Sequence, residues 1–139
     1  MSSRTKSRKR AVDALYAAEL RDAMATDLLE ETKQSVIDHQ NQDEIFDFAN
    51  DLVQGVLANQ LEIDALLESV SQNWPLERMP AVDRAILRVA TYELAFANET
   101  PAQVVISEAV ALASELSTDD SSTFVNGVLA AIAATRKPI

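Results

Sequence analysis

Two glycines and four prolines in 139 residues leave this chain poorly equipped for a sheet, whose many tight turns draw heavily on glycine. Alanine, leucine and glutamate are abundant instead, and all three favour helix. The expected fold is therefore all-α, with helices joined by short connections. At this length the chain reads as one domain over 1–139, long enough to bury a core without crosslinks. It contains no cysteine, which excludes disulfides, Cys-based zinc sites and thiol catalysis and fits a reducing, cytoplasmic address. No apolar run approaches the roughly 18 residues of a membrane span, and Asp13 and Glu19 follow the basic start where a secretory signal would be hydrophobic.

Apolar periodicity divides the chain into about seven helices. The first is expected from Ser7 to Asp22 with Val12, Leu15 and Ala18 inward, and the second from Thr26 to Ile37 with Leu29, Lys33, Val36 and Ile37 at helical spacing. Ile45, Phe48, Ala49, Leu52, Val53 and Val56 mark a third; Leu61, Ile63, Leu66, Leu67 and Val70 mark a fourth. Trp74-Pro75 and Met79-Pro80 interrupt the pattern, because the residue before a proline is pushed out of the α region and proline suits a helix start. A fifth helix is then expected from about Pro80, and its wide apolar face (Val82, Ala85, Ile86, Val89, Ala90, Leu94) suggests a central helix packed on several neighbours. Thr100-Pro101-Ala102-Gln103 reads as a capping box with Pro101 at the first helical position. Phe124, Val125, Val128, Leu129 and Ile132 define a last helix after a Ser117–Ser122 turn. Gly55 and Gly127 stand alone within helical patterns, which suggests close helix packing and no phosphate loop.

Charge is distributed very unevenly. Arg4, Lys6, Arg8, Lys9 and Arg10 fall within ten residues free of Asp and Glu, whereas the other 129 carry seven basic against 22 acidic side chains. An acidic body repels nucleic acid over most of its surface, so phosphate contact would be confined to this basic arm at 1–10. In a helix starting near Ser7, Lys9, Val12 and Tyr16 lie nearly on one line, since seven residues drift only about 20°. An aromatic beside cations suits unstacked bases of single-stranded RNA. Tyr16 fits a core edge equally well.

Catalytic signatures are weak. With 22 carboxylates, pairs such as Asp119-Asp120 or Glu30-Glu31 arise by chance, and Thr118, Asp119 or Asp120 suits the start of the last helix. His39 is the single histidine, in a polar stretch with no second ligand or triad partner nearby in sequence. No enzyme activity, cofactor or metal is expected.

The segment Arg10–Tyr16 (Arg-Ala-Val-Asp-Ala-Leu-Tyr) resembles the opening helix of the NusB transcription antitermination family. Val82–Leu94, Val105–Ala113 and Asp120–Leu129 resemble further stretches of that family in the same order, and the Phe-Val-Asn-Gly-Val-Leu run from Phe124 is shared with the NusB-like domain of ribosomal RNA cytosine methyltransferases. The resemblance implies a compact helical bundle in two subdomains, about 7–75 and 76–139. It implies a non-enzymatic factor that binds boxA RNA of ribosomal RNA leader transcripts together with NusE, a small-subunit ribosomal protein, within an RNA polymerase antitermination complex. The RNA-binding residues it implies are Arg4, Lys6, Arg8, Lys9, Arg10, Tyr16, Asp120 and Phe124. Asp83, Arg84 and Arg88 would face the partner. Thr5 and Ser7 interrupt the basic run, and Thr123 stands where relatives often carry a cation, so weak RNA binding without the partner is expected. Two other readings are a fragment of an RNA methyltransferase, against which the absence of Cys argues, and a helical protein-interaction module without RNA binding. Monomer and homodimer are both compatible with the pattern.

Overall fold

The computed structural model describes residues 2–36, 41–71 and 74–135, and among these it has seven α-helices and no strand. They are α1 (Ser3–Arg21), α2 (Ala25–Ser35), α3 (Gln42–Ala58), α4 (Gln60–Val70), α5 (Ala81–Tyr92), α6 (Ala102–Leu116) and α7 (Asp119–Ala134). A single 3₁₀ turn, Leu76–Arg78, precedes α5, and a wider π-type turn, Glu93–Ala97, extends it.

The shortage of glycine is met by other residues. Asp22, Asn41 and Asn98 take left-handed backbone with φ of 50°, 65° and 53°, a conformation that short polar side chains tolerate better than other non-glycine residues do. Pro80 and Pro101 sit at the caps of α5 and α6 with extended ψ of 138° and 142°. Their carbonyls accept the first helical bonds, from Arg84 N at 3.1 Å and from Val105 N at 3.1 Å. The expected capping box at Thr100 does not form, because α6 begins at Ala102 with Pro101 as its cap.

Helix α1 starts four residues before the expected Ser7. Ser2 caps it by accepting from the Thr5 amide, and tertiary contacts hold the first turns: Ser7 Oγ donates to the Ile45 carbonyl on α3 at 2.8 Å. The basic segment is thus the beginning of a helix docked on the body. Helix α7 begins at Asp119, inside the expected Ser117–Ser122 turn, and Thr118, one of the expected caps, accepts from the Ser121 amide at 3.1 Å. Helix α2 ends at Ser35, so Val36 lies just past it and Ile37 lies outside the described residues, as does His39.

Helix α5 packs against α1, α3, α4, α6 and α7, as its wide apolar face suggested. Buried side chains from Ala11 on α1 to Ile132 on α7 form one continuous core, with Leu52, Ile63, Leu67, Ile86, Leu87 and Leu129 among the largest fully enclosed. Helix α4 packs on α5 and α7 as well as on α3. One residue of its expected inward stripe points out: Leu61 is 90 % exposed. Two residues along a helix turn through about 200°, so Leu61 cannot share a face with the buried Ile63.

The two glycines play different parts. A Cβ on Gly55 would lie 2.1 Å from Tyr92 Cζ, so the Tyr92 ring needs this gap in α3, whereas a Cβ on Gly127 would meet nothing within 4 Å. Close packing accounts for Gly55 and not for Gly127.

Candidate nucleic-acid interface

The solvent-facing side of α1 carries most of the basic segment. Lys6 and Arg4 are exposed, and Lys9 and Arg10 are half-buried. Arg4 lies across the Phe48 ring of α3, its guanidinium carbon 3.7 Å from the ring centroid, and Arg10 stands 5.5 Å from the Phe46 centroid. Such contacts orient a guanidinium without neutralising it. Lys9 Nζ donates to Glu115 Oε1 of α6 at 2.6 Å. That bond raises the Lys9 pKa above its ordinary 10.5. Asp13, one helical turn along from Lys9 and Arg10, has its carboxyl pushed above 3.8 by partial desolvation, opposed by Lys9 and Arg10.

Arg8 departs from the sequence expectation. It is 4 % exposed and grips Glu93 with two bonds, Nε to Oε2 at 2.8 Å and Nη2 to Oε1 at 2.9 Å, while Nη1 reaches Glu108 Oε1 at 3.0 Å. Burial alone would lower its pKa, but the bonds and charges of Glu93 and Glu108 leave it raised. Arg8 therefore points into the protein, its guanidinium held by two carboxylates. Spacing held the clue, because Arg8 stands three, four and seven residues before the core-facing Ala11, Val12 and Leu15. Its partners, 85 and 100 residues away, left no local signal.

Tyr16 is 37 % exposed, on the same flank of α1 as Lys9. Glu115, which holds Lys9, is followed within four residues by α7. Asp120 is exposed in the first turn of α7, and Phe124 is half-buried one turn on, edge-to-face with Trp74 at 4.7 Å between centroids. The Lys9–Glu115 contact thus connects the cationic face to the last turn of α6, just before the connection to α7.

Of the three charged residues of α5 expected to face a partner, Asp83 and Arg84 are turned inward. Asp83 is fully buried and accepts from Ser121 Oγ at 2.7 Å. Arg84 is 8 % exposed; its Nη1 donates to the carbonyls of Leu76 and Met79 at 2.9 and 3.0 Å, and its guanidinium pairs with Glu19. A helix surrounded by five others has little free surface to offer. Arg88 is half-buried and bidentate on Asp64, at 2.9 and 3.0 Å. Of the three, it alone lines an open cleft of about 370 Å³, together with Leu15, Ala18, Glu19, Met24, Leu57 and Gln60.

That cleft has apolar surroundings which the sequence reading missed. Met24 and Leu57, 59 % and 39 % exposed, line it, and Leu20 and Leu61 are exposed on α1 and α4, the helices at its edges. Among the described residues no cluster of three or more His, Asp or Glu could hold a metal ion, and no helix is long and apolar enough to cross a membrane.

Residues 5–134 match the model of the NusB family. The chain belongs to the NusB family. A transcription antitermination protein NusB of Clavibacter michiganensis subsp. michiganensis is 48 % identical over 98 % of this chain and 99 % of its own length. One from Acidothermus cellulolyticus is 45 % identical over 100 % of this chain and 92 % of its own length. Among solved structures, T. maritima NusB superposes with a TM-score of 0.87 at 34 % identity, covering 99 % of this chain and 95 % of that one. A structure of antitermination factors NusB and NusE in complex with dsRNA gives 0.86 at 27 % identity, over 98 % and 99 %.

Proposed function

We propose that this chain is a non-enzymatic transcription antitermination factor that binds boxA RNA of ribosomal RNA leader transcripts together with NusE, acting in the cytoplasm within an RNA polymerase antitermination complex. The observation that carries the reading is the cationic face of α1, set on an otherwise acidic body and tied by Lys9 to Glu115 in the last turn of α6. Membership of the NusB family supports it, as does the similarity to a NusB solved with NusE and dsRNA. Arg4, Lys6, Lys9 and Arg10 contact phosphate in this reading, Tyr16 and Phe124 meet bases, and Asp120 borders the RNA. Arg8 supports the face from beneath. Lys9 must exchange Glu115 for phosphate, which agrees with the weak binding expected of the protein alone.

The cleft beside Arg88, with its exposed Leu57 and Met24, is the surface best suited to NusE, since an apolar patch rimmed by charge is the usual form of a protein contact. A second copy of the chain would compete for it. The methyltransferase reading draws no support from relatives that carry the antitermination name over their full length.

Titration of a single-stranded boxA RNA, with and without NusE, against a scrambled RNA and a duplex of the same sequence, tests the proposal at two salt concentrations. Weak binding alone and tighter, sequence-selective binding with NusE is the expected result. Equal affinity for the scrambled RNA under both conditions refutes it.

A further inference from the structure

A fully buried carboxylate held by one hydroxyl is an expensive arrangement, because an apolar side chain at the same position would avoid the loss of hydration. Asp83 is such a group: Oδ2 accepts from Ser121 Oγ at 2.7 Å, and Oδ1 has no hydrogen-bond partner among the described residues. Ser121 Oγ is also 2.9 Å from Ser117 Oγ and 3.0 Å from Thr118 Oγ1. Ser121 Oγ has a single proton and gives it to Asp83, so the direction of the other bonds follows. Ser121 donates to Asp83, Ser117 and Thr118 donate to Ser121, and Thr118 Oγ1 accepts the Ser121 amide at 3.1 Å. The result is a polarised array that ties the short connection before α7, and its first turn, to the first turn of the central helix.

The array fixes rotation more than it adds stability. Asp120 and Phe124 are four residues apart and share a face of α7, while Ser121, next to Asp120, is anchored in the interior. Holding Ser121 to Asp83 sets where Asp120 and Phe124 point. Each residue of slip would turn that face by about 100°.

We propose that Asp83 and Ser121 are positioning residues that hold the first turn of α7 in the orientation needed for sequence-selective RNA recognition. The proposal rests on the RNA-binding reading above. It separates two contributions: α1 supplies phosphate attraction and its salt dependence, and the α7 turn, held by Asp83, supplies discrimination between sequences.

The test measures binding of boxA RNA and scrambled RNA, with NusE present and at two salt concentrations, by the wild type, Ser121→Ala, Asp83→Ala and Asp83→Asn, with a melting curve for each. Ser121→Ala and Asp83→Ala are expected to lose about tenfold in affinity for boxA RNA, the scale of one buried hydrogen bond, with scrambled-RNA affinity and salt slope unchanged. Asp83→Asn keeps an oxygen that accepts from Ser121 and should retain discrimination. Should Asp83→Ala fail to fold, Ser121→Ala decides. Full discrimination by Ser121→Ala with only a lowered melting temperature overturns the proposal, as does an Asp83→Asn protein that loses discrimination. A parallel loss of affinity for both RNAs also overturns it. A wild type that does not discriminate refutes the RNA reading and this proposal together.

Discussion

Helices α1 and α5 cross in the core, and each carries a run of charged residues that looks suited to a partner, yet the two runs end in opposite environments. On α1, Arg4, Lys6, Lys9 and Arg10 stay at the surface and one cation, Arg8, turns inward. On α5, Asp83 and Arg84 are buried and Arg88 is half-buried. The difference comes from how many neighbours each helix has. Helix α1 keeps a free side, so long basic side chains can remain in water; α5 is enclosed by five helices, so its charges must find internal partners. A charged residue on an enclosed helix is evidence of an internal polar contact before it is evidence of a binding site.

Removing Arg8 should expose the contrast most sharply. Arg8→Gln leaves Glu93, 3 % exposed, without its bidentate partner, and a loss of about 3–5 kcal/mol is expected from denaturant unfolding. In protein that remains folded, the salt slope of RNA binding should stay the same. A shallower slope would return Arg8 to the phosphate-binding set. Arg84→Met is the matching change on α5, and it strips hydrogen bonds from the Leu76 and Met79 carbonyls. A loss of about 2–3 kcal/mol is expected, with NusE affinity of the folded protein unaltered; a NusE defect without a stability defect would restore Arg84 to the partner surface.

Surface charges should behave in the opposite way, with small stability effects and visible binding effects. Asp120→Asn removes a carboxylate beside the proposed RNA path and is expected to strengthen RNA binding by up to about fivefold, the scale of one charge pair at close range in water, with a slight fall in melting temperature from the weaker helix-start interaction. Unaltered affinity would remove Asp120 from the interface. Lys6→Gln should change stability by less than about 0.5 kcal/mol and reduce the salt slope by about 0.7; an unchanged slope would show that Lys6 makes no phosphate contact. The smallest effect concerns Asp13. Its folded pKa lies above the ordinary 3.8, so its favourable contribution is present below that pH and is lost as pH rises through the folded value. Asp13→Asn should therefore melt slightly higher than wild type at pH 7, with the difference vanishing below pH 3.8. A gain that persists in acid would point to a cause other than ionisation.

Legibility followed the range of the forces involved. Helix existence, the enclosed character of α5 and the acidic body with a basic end could be read from periodicity and composition, because 3.6-residue spacing and local charge density are properties of neighbouring residues. Helix starts were read less well. The beginning of α1 at Ser3 depends on Ser7 reaching Ile45 and Thr5 reaching Glu108, contacts with residues far along the chain. The outward turn of Leu61 could have been read from its spacing to Ile63; the cleft beside Arg88 could not, since its walls come from α1, α2, α3, α4 and α5.

The sequence by itself determined the all-α class, the separation of a basic helix face from an acidic body, and motifs sufficient to identify the NusB family, since each is written in residue type and short spacing. Only the tertiary structure decided which charges are free to act. Arg8, Asp83 and Arg84 are drawn inside by partners 85, 38 and 65 residues distant, and the reason is physical: whether a charge meets water or a buried counterpart depends on which helices surround it, which local spacing does not encode.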